Sequence, residues 1–118
     1  MQSRFGPPFW NFAMKTNDLL AGLPGETLVR KGLADLKSGR CTITACLAAI
    51  ARNRLITAGA VADGELRTFS EPERQLYRLL RREGGDAYSR YNSLLRELVS
   101  FEMALDRRNR TLKIENQE

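Results

Sequence analysis

The residues of this chain with the greatest capacity for chemistry are four arginines, Arg74, Arg78, Arg81 and Arg82, spaced i, i+4, i+7 and i+8. On a helix that spacing gathers four guanidinium groups on one face, opposite Leu76, Leu79 and Leu80. A guanidinium is planar, permanently charged and matched to phosphate and carboxylate oxygens. The stripe therefore suits a nucleic-acid backbone, where each neutralised phosphate releases counterions, or an acidic protein surface. An ordinary solvated helix face has the same composition, with Arg81 and Arg82 placed favourably near the negative end of the helix dipole.

Few other residues offer a reaction. The chain has no histidine, which removes Ser-His and Cys-His nucleophile systems. Two cysteines, Cys41 and Cys46, cannot build a structural zinc site alone, and on one helix they would point in different directions. Cys41 stands beside Arg40 just before an expected helix start, a setting that favours a thiolate, whereas Cys46 falls on an apolar face. Glu102 and Arg54 each fall among apolar neighbours on their own helical wheels. An ion buried alone is costly, so the two are expected to pair and fix how their helices cross. Neither a phosphate-cradling glycine loop nor a metal-ligand cluster is present in the sequence, and no cofactor is expected.

These residues have to be held by helices. The longest pattern runs from Asp86 to Asp106, where Ala87, Tyr91, Leu94, Leu98, Phe101 and Leu105 recur at steps of four and three. Tyr88, Leu95 and Val99 widen that stripe, so the helix is expected to face several neighbours at once. Before it, Ser70-Glu71-Pro72-Glu73 reads as a capping box opening the arginine helix, which ends at Gly84-Gly85. A short helix is expected from Asn17 to Gly22, and a second from Glu26 to Ser38 with Leu28, Val29, Leu33 and Leu36 inward. Gly32 lies on that inner face, where its use is to let another helix approach, and Gly39 ends the helix. Thr42 caps a third helix carrying Ile43, Cys46, Leu47, Ile50 and Ala51, with a break near Asn53 because Leu55 and Ile56 would otherwise face outward. Residues 59–69 read as a loop around Ala62-Asp63-Gly64-Glu65, with room for two very short strands.

The ends differ from the middle. Residues 1–14 form an arm with Phe5, Phe9, Trp10 and Phe12, four of the nine aromatic residues in the chain. Such an arm either docks on the chain's own helices as a lid or anchors a partner. Residues 107–118 are rich in Arg, Asn, Gln and Glu and are expected to fray.

Composition sets the outer bounds. A chain of 118 residues with 42% apolar residues supports one core, and 28% charged residues is ordinary for a folded domain. Nineteen basic against fourteen acidic residues leave a net charge of +5, which permits polyanionic partners without demanding them. No signal peptide or membrane span is apparent, and a reduced, cytoplasmic setting fits the two cysteines. The expected architecture is a single all-α domain of about five helices with a C-terminal antiparallel helical hairpin. Its expected function is non-enzymatic: a protein-protein interaction or adaptor domain, partnered by another protein or by a second copy, with the long helix and the aromatic arm as its contact surface. A nucleic-acid-binding accessory protein using the arginine stripe is the alternative.

Overall fold

The computed structural model describes residues 19–66 and 68–116. Five helices make up the described chain: α1 (Glu26–Lys37), α2 (Ile43–Ile50), α3 (Arg52–Ala58), α4 (Pro72–Glu83) and α5 (Ala87–Asn116). Leu19 and Leu20 are helical as well, and no strand occurs among the described residues, so the fold class is all-α. Residues 1–18, with the aromatic arm and its Phe5, Phe9, Trp10 and Phe12, lie outside the described residues.

α1 begins after Gly25 with Glu26 in its first turn and ends with Lys37 in its last, both favourable to the helix dipole. It buries Val29, Gly32, Leu33 and Leu36 against α2. The reason for Gly32 is steric. A Cβ built there would sit 2.1 Å from the Thr44 carbonyl oxygen and 2.9 Å from the Ala48 Cβ, so only glycine permits this approach. Gly39 takes φ +77°, as its place after the helix requires.

α2 is the hub. Thr42 is extended and its Oγ1 accepts the Ala45 amide at 3.1 Å, the expected N-cap. Thr44 to Ala49 are all buried, because α1, α3, α4 and α5 all contact this short, alanine-rich helix. At Ala51 the chain breaks and α3 restarts, which turns Leu55 into the core, where it is fully buried. The loop after Gly59 is ordered by its own contacts rather than by strands. Glu65 Oε1 accepts the Ala62 amide at 2.7 Å, and Ala60, Val61 and Leu66 are buried.

The hairpin forms through Gly84 and Gly85, but α4 does not start as expected. Glu71, not Ser70, is the N-cap; its φ is +52° and its side chain makes no capping hydrogen bond. The cause is Pro72. A residue before proline is excluded from the right-handed helical region, so Glu71 cannot serve as a first helical residue behind a Ser70 cap. Glu73 is thereby moved one position too early for a capping box. Asp86 does cap α5, accepting the Ser89 amide at 3.1 Å and the Ser89 hydroxyl at 2.8 Å.

α5 is helical to Asn116, ten residues beyond Asp106, where fraying was expected. The extension is anchored from the other end of the described chain, since Arg108 donates to the Leu19 and Ala21 carbonyls at 3.2 and 2.7 Å. Leu112 packs against the core beside it. One buried cluster runs from Leu19 to Leu105 and draws on all five helices, with Leu76, Leu80, Phe101 and Leu105 fully enclosed. Each such side chain contributes about 2 kcal/mol through burial. No described helix is long and apolar enough to cross a membrane.

Candidate functional site

Two surfaces of the hairpin carry the sequence candidates, one on α4 and one on α5. On α4, Arg74, Arg78, Arg81 and Arg82 are exposed on one side, as their spacing requires, while Leu76 and Leu80 are buried on the other. They line an open hollow of about 520 Å³ together with Tyr77. Carboxylates bracket the stripe. Glu71 forms an ion pair with Arg74 at 3.2 Å, and Glu83, at the opposite end, accepts a hydrogen bond from Arg90 at 2.8 Å. Arg78, Arg81 and Arg82 are the members of the stripe without a carboxylate partner among the described residues.

A second hollow of about 730 Å³ opens where α4 meets the start of α5. Tyr77 and Tyr91 meet edge to face there, ring centroids 5.4 Å apart, and Tyr88, Arg74, Glu71 and Glu73 complete the lining. Edge-to-face tyrosines with one wet side are a packing arrangement that leaves apolar ring surface for a guest.

The structure separates the expected Arg54–Glu102 pair. Arg54 instead donates to Asp106, one turn further along α5, so the α3–α5 bridge exists with a different acid. The half-exposed Arg54 reaches Asp106 at the rim rather than lying in the buried face. Glu102 is left half-buried beside this pair. Burial pushes its carboxyl above the usual range, the Arg54 charge opposes that, and Asp106 adds to it.

A carboxylate that sequence reasoning missed lies on α1. Asp35 is only 4% exposed and accepts the hydroxyls of Thr42 at 2.6 Å and Thr44 at 3.0 Å, with the Lys31 ammonium 3.6 Å away. Those two hydroxyl donors, Thr42 first, hold its carboxyl below the usual range. It joins the end of α1 to the start of α2, a structural duty. The signal available for it is the pair of threonines around Ile43, of which only Thr42 is read from the sequence, as a cap.

Cys41 is exposed and Cys46 buried. Cys41 lies outside α2, before the Thr42 cap, near enough to Cys46 to influence its thiol. The two occupy the positions at which a residue before a cap folds back onto the first turn. Burial, followed by the Cys41 contact, pushes the Cys46 thiol up to about 12, so it is held as a neutral thiol.

The long helix also carries apolar residues outside the buried stripe. Among the described residues, Tyr88, Val99, Met103 and Ile114 are the large apolar residues left exposed, at 66%, 50%, 60% and 64%, and all four belong to α5. At 3.6 residues per turn they fall within an arc of about 80°, facing away from the buried Leu98, Phe101 and Leu105. Tyr88 and Val99 therefore do not widen the buried stripe, as the sequence pattern implied. They belong to a second stripe on the outer side of the helix.

Comparison with known proteins gives no guide to the chain: no protein-family model, no curated protein and no solved structure matches it.

Proposed function

We propose that this chain is a non-enzymatic protein-interaction module whose contact surface is the outer face of α5. The observation that carries the reading is the alignment of Tyr88, Val99, Met103 and Ile114 along one side of a 30-residue helix whose other side buries Leu98, Phe101 and Leu105 in the core. Exposed apolar residues scattered singly are unremarkable, but a file of them along one helix face is costly to leave in water and marks a contact surface. The helix is also well suited to the work, because contacts with α2, α3 and α4 and the Arg108 clamp hold it rigid along its length. A rigid face loses little entropy on docking.

A second reading rests on Arg78, Arg81 and Arg82, which leave three guanidinium groups open beside Tyr77 and so suit a polyanion. The acids at both ends of the stripe, Glu71 and Glu83, disfavour a long phosphate track.

Photo-crosslinking separates the two. A benzophenone amino acid is placed at Met103 in one version of the chain and at Arg78 in another, each expressed in the native host. The α5 reading expects a discrete protein adduct from position 103 that disappears when Val99→Glu is added. Adducts from position 78 alone, formed with nucleic acid, would replace it with the second reading.

A further inference from the structure

We infer that the occupant of the α5 face is a second copy of this chain, packed antiparallel about a twofold axis level with Phe101. The inference rests on the contact-surface reading above and adds the identity of the partner.

The argument is the order of residues along the face. Tyr88 and Ile114 stand thirteen residues either side of position 101, and Val99 and Met103 stand two either side. In an antiparallel pair centred there, each exposed apolar residue meets another. Val99 faces the partner's Met103, and Tyr88 faces the partner's Ile114. The intervening residues of the face obey the same symmetry, with Arg96 against the partner's Asp106 and Asn92 against the partner's Arg110. Opposite charges meet and like charges do not, which is the self-complementarity an isologous interface requires. Asp106 already holds Arg54, and a carboxylate has acceptor capacity for a second arginine.

Helix geometry supports the pairing. Tyr88 to Val99 and Met103 to Ile114 are both steps of eleven residues, three full turns, so the face stays in line on nearly straight helices over about 39 Å. Phe101 points the opposite way, fully buried in its own core, so the axis crosses the interface without a bulky side chain on it. At the ends, the hollow between Tyr77, Tyr88 and Tyr91 lies where the partner's Ile114 arrives. An apolar side chain seated in a tyrosine-lined hollow is the type of anchor that dominates interface energetics.

The test uses two chains, Val99→Cys and Met103→Cys, each also carrying Cys41→Ser, so that the introduced thiol is the exposed one while Cys46 stays buried. Both new positions are at least half exposed, so folding is not at stake. Under mild oxidation, mixing the two chains is expected to give several-fold more disulfide-linked dimer than either chain alone, because the twofold axis brings position 99 to position 103 and not to itself. Equal cross-linking in the mixture and in the separate chains would overturn the antiparallel register. A wild-type chain that stays monomeric by light scattering up to millimolar concentration would overturn the second copy as occupant. In that event, a Met103 photo-adduct with a different protein leaves the contact-surface reading standing, and the absence of any adduct removes both.

Discussion

At the scale of residues, the described chain spends its polar side chains on holding helices in place. Asp35 is the clearest case, a buried carboxylate whose charge is satisfied by Thr42, Thr44 and Lys31. Its carboxyl is held below the ordinary value, which is about 3.9 in an unfolded chain. The stability it contributes is therefore fully present above that pH and is lost as pH falls through the lower folded value. Asp35→Asn is expected to flatten the acid side of the stability curve, seen as a smaller fall in thermal midpoint between neutral pH and about pH 2. An unchanged slope would mean that the Asp35 hydrogen bonds add nothing to the folded state. The sequence carries little signal for this carboxylate, since the threonines that satisfy it lie on the next helix, beyond the Gly39 turn. Glu102 drew notice by a wheel argument, but the turn-by-turn position of its cation partner could not be read from one helix alone. The Arg54 bridge went to Asp106 because that acid lies at the solvent rim, where an ion pair is less costly to desolvate.

At the scale of elements, the sequence was legible wherever a local rule had no competitor. The extent of α1, the Thr42 cap, the break before Leu55 and the Gly84-Gly85 turn all follow from caps, glycine and period. It misled where two rules met. At Ser70 the capping-box pattern conflicted with the backbone restriction before Pro72, and the restriction won. On α5 the apolar residues belong to two stripes on opposite sides, and adding Tyr88 and Val99 to the stripe without placing them by angle runs the two together. The polar composition after Asp106 hid a helix held by tertiary contacts through Arg108 and Leu112. Gly32 offers a test of the helix-packing argument, because intrinsic propensity and tertiary contact have opposite signs there. Propensity alone makes Gly32→Ala stabilising by about 1 kcal/mol. The collision with the Thr44 backbone cannot be relieved by a rotamer change, so the contact term wins. Denaturant melts are expected to show a net loss of about 3 kcal/mol or loss of folding. A more stable Gly32→Ala chain would refute the close α1–α2 approach.

At the scale of the whole molecule, α5 sets the shape. Its 30 residues span about 45 Å, close to the 49 Å longest dimension of the described chain. One side of this helix carries the core and the other carries the file of exposed apolar residues, so folding and association draw on opposite faces of the same element. That division explains why folding should survive substitutions that abolish association. It also explains why the sequence names the long helix as both spine and contact surface but assigns Tyr88 and Val99 to the wrong side of it. Arg78, Arg81 and Arg82 of α4 do not line the hollow that receives the partner's Ile114, and they give the assembly a second exposed surface of positive charge.

Sedimentation equilibrium over a concentration series, comparing the wild-type chain with the Val99→Glu, Met103→Glu double variant, tests the central claim most directly. Facing glutamates are introduced at four points around the twofold axis while the core is untouched. The account predicts a wild-type mass that rises from one chain to two with concentration, and a variant that remains a single chain with an unchanged melting temperature. Identical association of the two proteins, or a wild-type chain that is monomeric throughout the series, would contradict it.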